Sequence, residues 1–324
     1  MKSLFFNKKG PAAKVLQYGD TGIGDLLPGE IRLKMLASPI HPADFMFIEK
    51  TYRVTPQYPQ VAGFEGAGRI VDNGGDHHYP LNALVAFRYK NAWAGYVNIP
   101  KSKVILLPAH MPIEKAAQLA LNPITAWALL ADVAARPGEW IILSAANSAL
   151  GKLIIQFAKS RHIKTMAIVR ESSRQQSLLS LGATAVLQAN DGDLQTQVKT
   201  LAGNEKIAGF LDAVGGDLAS AIIQVISANS KIIHYGLFSD KPVMYHNADV
   251  IFKNLVITGF GIDAWLQNKT EGEREKIWSE MISTVIDPGF KMDVAAKFSL
   301  PDFQKAMATG KPADEGKLLF WMHE

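Results

Sequence analysis

Between Trp140 and Phe260 short apolar runs alternate with amphipathic stretches, and few folds accommodate that alternation. The runs at 141–144, 165–169, 185–187, 209–213, 231–236 and 255–260 have the length and composition of strands. Apolar residues at helical spacing fill the gaps at 150–161 and 173–181, the second stopped by Gly182, and at about 194–202 and 217–228. Strand, helix and strand repeated at this spacing build a parallel sheet covered by helices on both faces. The flanking sequence has another texture. Up to residue 107, glycine and proline punctuate short strands at 31–36, 68–71, 84–87, 95–99 and 104–107. Asn122-Pro123-Ile124-Thr125 opens a helix that Pro137-Gly138 stops, and a mixed pattern returns from Ile262. The expected fold is α/β: a doubly wound parallel-sheet domain over 122–261, inserted between two pieces, 1–121 and 262–324, of a β-rich domain. The cleft between the domains is the expected ligand site.

A chain of 324 residues is long enough for two such domains. No apolar run reaches the ~20 residues that span a bilayer, and the apolar core of Met1–Phe6 is too short for a signal peptide before Lys8 and Lys9. A cytoplasmic, non-membrane protein is expected. Cysteine is absent, which excludes disulfides, thiolate metal sites and a cysteine nucleophile. The net charge of +4 comes from 34 basic and 30 acidic residues scattered along the chain, so the footprint of a nucleic-acid binder is missing.

The stretch Ile141 to Lys159, "IILSAANSALGKLIIQFAK", reads strand, tight turn, helix. A dinucleotide-binding (Rossmann) domain places its phosphate loop at such a turn and builds it from glycines. Here Ala146, Ser148 and Gly151 stand at those places. Ala146 can serve with negative φ, Gly151 keeps the close helix–strand packing, and the Ser148 hydroxyl can donate to a phosphate beside the helix N-terminus. An ordinary α/β turn with no ligand reads almost the same. The next strand end separates them. An NAD-binding domain carries an acidic residue there to hold the ribose hydroxyls. This chain has Arg170, with Ser172, Ser173 and Arg174 following. Guanidinium groups and hydroxyls suit a 2′-phosphate, which points to NADPH.

The segments "GFEGAGRIV" (63–71), "LNPITAWALL" (121–130), "AANSALGKLIIQFAK" (145–159), "SLLSLGATAVL" (177–187), "LDAVGG" (211–216) and "FKNLVITGF" (252–260) together resemble the medium-chain dehydrogenase/reductase family over essentially the whole chain. That resemblance implies a GroES-like catalytic domain around the Rossmann domain, and commonly a dimer or tetramer; a homodimer is expected. Zinc enzymes of the family place a cysteine and a histidine where this chain has Ser38 and Phe64. The four-cysteine structural zinc lobe is missing too, and His77-His78 reads as a solvated pair in a glycine-rich loop. The resemblance is therefore to the zinc-free branch, with no metal site expected.

Within that branch the chain is most similar to mitochondrial-type trans-2-enoyl thioester reductases, whose phosphate loop shares the "AANS" turn. The stretch "HPADFMFIEKTYRVTPQYPQVAGFEGAGRIV" (41–71) resembles the segment where those reductases carry an active-site tyrosine, here Tyr52, and "GKPADEGKLLF" (310–320) resembles a C-terminal stretch whose lysine, Lys317, meets the cofactor. The resemblance implies cofactor contacts from Asn122, from Asn147, Ser148, Ala149, Leu150 and Gly151, from Arg170, Ser172 and Arg174, from Tyr235, Gly236, Leu237 and Phe238, and from Phe260, Gly261, Ile262, Asp263 and Lys317. Trp93, in "NAWAGY", matches a substrate-side loop. The implied reaction adds hydride to Cβ of a 2-enoyl thioester carried by CoA or by an acyl carrier protein. A tyrosine hydroxyl, pKa about 10 in solution, donates at neutral pH without first being charged. Two alternatives remain at this level: an NADPH:quinone reductase, and a non-catalytic NADPH-binding protein that keeps the fold.

Overall fold

The computed structural model describes residues 1–190, 192–309 and 316–322, with Ser172 described by its backbone alone. The stretch 310–315, the first part of the C-terminal motif above, lies outside the described residues. The first part of the chain forms β1 (Lys2–Phe6), β2 (Gln17–Asp20), β3 (Glu30–Pro39), β4 (Gln60–Val61), β5 (Glu65–Asp72), β6 (Leu84–Arg88), β7 (Tyr96–Pro100) and β8 (Val104–Leu106). The middle forms β9 (Trp140–Leu143), β10 (Lys164–Val169), β11 (Ala185–Gln188), β12 (Ile207–Asp212), β13 (Lys231–His234) and β14 (Val256–Gly259), and the end forms β15 (Val294–Phe298) and β16 (Lys317–Trp321). These elements gather into two compact units, Met1–Asn122 with Ile282–Glu324, and Pro123–Met281.

The second unit holds a six-stranded sheet in the order β11-β10-β9-β12-β13-β14, parallel throughout. That is the doubly wound order of a Rossmann sheet, with its reversal between β9 and β12. Every residue of β9 and β12 is buried, which is why these strands read as continuous apolar runs. Helices Ala149–Ser160, Gln175–Leu181, Leu194–Ala202 and Gly216–Ile223 connect the strands. Gln175–Leu181 ends on Gly182 at φ 113°, a left-handed position that glycine adopts without cost.

The expected boundary after residue 261 lies short of the compact unit, which runs on to Met281. Helices Ile262–Gln267 and Glu271–Ile286 follow β14. The second of them begins with Glu271, Glu273, Arg274, Glu275 and Lys276. A helix so charged at its start shows no strong apolar stripe, so the sequence pattern blurs where the unit continues.

The first unit carries a seven-stranded sheet, β15-β16-β3-β5-β6-β8 with β7 paired along the first half of β3, and a three-stranded sheet β2-β1-β4. Its core packs Phe6, Phe47, Phe87, Trp93 and Phe320 with the aliphatic residues of β3 and β7. Strands β1, β2, β4, β15 and β16 carry no pattern strong enough to have been expected. β16 is built in antiparallel beside β3, so the far end of the chain completes a sheet begun in its first forty residues.

Candidate active site

In a parallel sheet every strand ends on the same edge, so the loops after β9, β10, β12, β13 and β14 emerge side by side. Asn147 to Gly151, Arg170 to Arg174, Tyr235 to Phe238 and Phe260 to Asp263 lie in those loops or in the helices they open. The structure thus brings most of the expected cofactor residues to one edge, at and beside the reversal of strand order where such sheets bind ligands.

The turn after β9 explains its own composition. Ala145, not Ala146, takes the left-handed conformation, at φ 47°. Gly151 is needed for closeness: a Cβ there would lie 2.5 Å from the Ala146 carbonyl oxygen. Ser148 is the N-cap of Ala149–Ser160, its Oγ accepting from the Gly151 N–H at 3.1 Å. The hydroxyl therefore caps its own helix and keeps its hydrogen for donation outward. The N–H groups of Ala149 and Leu150 have no acceptor in the helix, and no acidic residue stands in its first turn. This end is prepared for an anion. Arg170 is exposed just past β10, and Arg174 is half-buried in the short turn that follows.

A second feature organises this edge, and only as the "LDAVGG" motif was it visible in the sequence. Asp212, fully buried at the end of β12, accepts from Ser144 Oγ at 2.7 Å. It also accepts from the backbone N–H groups of Val214 and Gly215 at 3.0–3.1 Å and lies 2.8 Å from His234 Nδ1. Burial opposes its charge, but the His234 ring, the Ser144 hydroxyl and those N–H groups hold its carboxyl below the usual range. The loops after β9, β12 and β13 are tied to one carboxylate. Next to it, the Tyr235 hydroxyl is buried with no hydrogen-bond partner among the described residues. Burial first, then the Asp212 charge, push its titration up, so Tyr235 keeps an unused O–H donor. A free donor there, an open helix N-terminus and an exposed guanidinium together fit a dinucleotide phosphate.

The other candidates belong to the first unit. Asn122, the last residue of its first segment, starts helix Asn122–Val133. Tyr52 follows helix Pro42–Ile48 and is half-buried. Its ring lies 5.6 Å from that of Phe64, which packs on Phe47 at 4.7 Å, and the Arg53 guanidinium is 5.8 Å from the Tyr52 ring. The aromatic body is fixed, and no hydrogen bond occupies the hydroxyl among the described residues. Trp93 corrects its expectation. It is fully buried, its indole donates to the Pro39 carbonyl at 3.4 Å, and its ring packs on Phe320 at 4.9 Å. It is a core side chain, placed inside because the chain at Gly63 passes against its ring, and it offers no wall to a substrate.

Lys317 lies on β16 with Nζ 3.0 Å from His41 Nδ1, and His41 Nε2 is 2.5 Å from Glu65 Oε2. The other Glu65 oxygen accepts from the Leu121 N–H at 2.7 Å. Asp44 caps the same corner, accepting from the His41 N–H at 2.7 Å. Burial pushes its carboxyl up to about 7, against the backbone N–H groups of His41 and Phe64 and the charge of Lys317. The resemblance singled out only Lys317 from this cluster.

Ser38 and Phe64 stand where zinc enzymes of the family have ligands. Phe64 has no donor atom, and Ser38 Oγ already donates to the Glu65 carbonyl at 2.5 Å. Among the described residues no group of three His, Cys, Asp or Glu is arranged to hold a metal. This donor set does not fit zinc.

The profile of the zinc-binding dehydrogenase family matches residues 149–279. The mitochondrial enoyl-(acyl-carrier-protein) reductase of Xenopus tropicalis is 32% identical over 292 residues, 85% of this chain and 81% of that protein. Its Arabidopsis thaliana counterpart is 31% identical over 295 residues, 82% and 77% of the two chains. The chain belongs to the medium-chain dehydrogenase/reductase family. It is an oxidoreductase of that family. Among solved structures, the Escherichia coli quinone oxidoreductase complexed with NADPH is 25% identical with a TM-score of 0.86, over 99% of this chain and all of that one. A mutant form of the Candida tropicalis enoyl thioester reductase shares the fold, at 21% identity and a TM-score of 0.83 over 99% of each chain. No helix among the described residues is long and apolar enough to cross a membrane.

Proposed function

We propose that this chain reduces the conjugated double bond of a 2-enoyl thioester with NADPH and without zinc. The observation that carries the reading is the likeness above 30% to enoyl reductases over most of both chains. NADPH, when bound, supplies the hydride. The helix N-terminus at Ala149, the Ser148 hydroxyl, Arg170, Arg174 and the Tyr235 hydroxyl are the groups that would hold it. Addition of hydride at Cβ develops negative charge on the thioester oxygen and calls for a proton at Cα. Tyr52, with its ring wedged on Phe64 and its hydroxyl unoccupied, is the donor in this reading, directly or through a water. An acyl carrier protein is one carrier of the thioester and CoA the other.

The test is Tyr52→Phe, which removes only the hydroxyl. Turnover of crotonyl-CoA should fall roughly 10²–10³-fold, the size of losing one transition-state donor or acid. KM should change less, since the ground-state carbonyl is the poorer acceptor. Wild-type turnover by Tyr52→Phe would reduce Tyr52 to a wall of the pocket. The second reading, a quinone reductase, draws on the E. coli relative; a quinone spreads its charge over the ring, so the same variant should lose far less on that substrate. Dialysis against a chelator should leave activity and Tm unaltered, and one tightly held zinc per chain would refute the zinc-free reading.

We also propose a homodimer through the second unit. Strand β14 is a sheet edge among the described residues, and Ile251 and Phe252, on the helix Asn247–Lys253 that leads into it, are 69% and 84% exposed. A free edge with this apolar surround is a surface that proteins normally cover. Phe252→Glu should shift the mass in solution from two chains to one; an unchanged mass would count against this surface. The cytoplasmic location belongs to the same set of proposals, and cell fractionation would test it.

A further inference from the structure

The contact between Lys317 and His41 fixes more than a distance. Burial pulls the titration of Lys317 down and the charges of Glu65 and Asp44 push it back up; as an ammonium it has three N–H donors and no acceptor, and the bond at 3.0 Å then makes Nδ1 of His41 the acceptor. A neutral imidazole with its lone pair on Nδ1 carries its hydrogen on Nε2. That nitrogen lies 2.5 Å from Glu65 Oε2, an acceptor, and Glu65 is itself held at its second oxygen by Leu121 N–H. The chain of donors runs one way: Lys317 to His41, His41 to Glu65. Both ends specify the same tautomer. His41 is 3% and Glu65 0% exposed, so water does not compete for either bond. The backbone of His41 is pinned as well, its N–H donating to Asp44 as the first residue of a capping box.

This arrangement treats the lysine unlike an ion pair. A carboxylate in direct contact would orient the ammonium and neutralise it together. A neutral ring orients it without a carboxylate in direct contact, and the Glu65 charge, one imidazole further away, works against the burial that lowers the lysine's titration. Two of the three N–H groups of Lys317 point elsewhere.

We propose that His41 is a positioning residue for Lys317: its Nε2–H tautomer, locked by Glu65, presents Nδ1 to the lysine and aims it at an acceptor of the bound cofactor. The proposal rests on the reading that Lys317 meets NADPH. Burial, and then the Lys317 charge, keep His41 toward its neutral form, in agreement with the geometry. The charged groups facing the ring are Lys317 from β16, Glu65 from β5 and Asp44 from helix Pro42–Ile48, with Arg88 of β6 paired opposite Glu65.

Two substitutions separate positioning from packing. The amide of His41→Asn falls near the place of Nδ1 and can accept from Lys317. That of His41→Gln reaches the place of Nε2 and keeps only Glu65. NADPH affinity of the full-length protein, followed by nucleotide fluorescence, should drop about tenfold or more in Lys317→Met and in His41→Gln, the scale of one bond to a charged group. His41→Asn should stay within about threefold of wild type, since it replaces that bond. His41→Gln combined with Lys317→Met should bind no worse than Lys317→Met alone. In the ligand-free protein, ¹⁵N NMR of the His41 ring, assigned by its loss in His41→Gln, should show a bare Nδ1 and a protonated Nε2. If Lys317→Met binds NADPH normally, the lysine does not meet the cofactor and the proposal falls with that reading. If Lys317→Met loses affinity but His41→Gln does not, or the two losses add, or Nδ1 carries the hydrogen, the reading stands and the role of His41 is overturned. Equal losses in His41→Asn and His41→Gln, tracking Tm, would reduce His41 to a packing residue.

Discussion

Asp212 and Asp44 are both fully buried carboxylates, one in each compact unit, and they are held in opposite ways. Asp212 is met by a hydroxyl, an imidazole nitrogen and two backbone N–H groups. Its carboxyl lies below the usual range although burial works against it. Asp44 has only the backbone N–H groups of His41 and Phe64 and the Lys317 charge in its favour, and burial pushes it up to about 7. Burial is common to both, so the number of donors decides the charge. The two sites consequently do different work. Asp212 is a permanent anion that ties three loops of the cofactor edge together. Asp44 is a carboxyl that gains and loses its proton near pH 7, in the same corner as Lys317.

The largest effect that would break this contrast concerns Asp44. Its folded pKa of about 7 lies above the ordinary carboxyl value of 3.8. Between those values the folded chain binds the proton and the unfolded chain does not, so the contribution to stability falls as pH rises from about 4 to about 7 and levels off above. A difference of roughly three pH units corresponds to about 4 kcal/mol. Asp44→Asn mimics the protonated form at every pH. Its stability relative to wild type should therefore be near zero at pH 4 and grow to its full value by pH 7–8, measured by denaturant unfolding. A difference independent of pH would show that the fold leaves the Asp44 titration where it is in the unfolded chain, and a difference that grows as pH falls would show a carboxylate held ionised, like Asp212.

Asp212 should give the opposite sign. Its folded pKa is depressed, so its contribution is present at neutral pH and lost as pH falls through the folded value. Asp212→Asn swaps one acceptor oxygen for a donor facing the Gly215 N–H and leaves buried donors unmatched, a loss on the order of 3 kcal/mol at pH 7. Because the loops after β9 and β13 hang on this group, NADPH affinity should fall together with Tm. A variant that keeps its Tm would mean that the loops hold their shape without the carboxylate.

The two units also differed in how legible they were. Strands such as β9 and β12, buried on both faces, write themselves as continuous apolar runs and were readable one by one. The edge that collects the cofactor residues followed from strand order alone. In the first unit the pattern is weaker: β2 is largely exposed and β4 has two residues, so neither makes a period. Trp93 was misplaced because a buried indole and a pocket indole look alike in sequence; what separates them is the close passage of Gly63. The His41–Glu65–Lys317 chain could not be seen, since its members are 24 and 276 positions apart and meet only when β16 pairs with β3. The motif carrying Tyr52 was legible by resemblance, while the aromatic packing that fixes its ring was not.

The smallest effect sharpens the comparison at the rim of the cofactor edge, where charge is kept exposed instead of buried. Arg170 stands one residue beyond β10, at the place where an acidic residue would hold the ribose hydroxyls of NADH. Its side chain is exposed, and an exposed guanidinium can be recruited by a phosphate without first being taken from a protein partner. A charge-assisted bond contributes about 1.5–3 kcal/mol, so Arg170→Ala should raise the KM for NADPH roughly tenfold or more and leave that for NADH nearly unchanged. Stability should stay within about 0.5 kcal/mol of wild type, as for a surface substitution away from caps and networks. That separates Arg170 from Asp212, whose substitution affects fold and cofactor together. Equal losses for NADPH and NADH would mean that Arg170 supports the loop and does not read the 2′-phosphate, and the preference for NADPH would then have to be sought at Arg174.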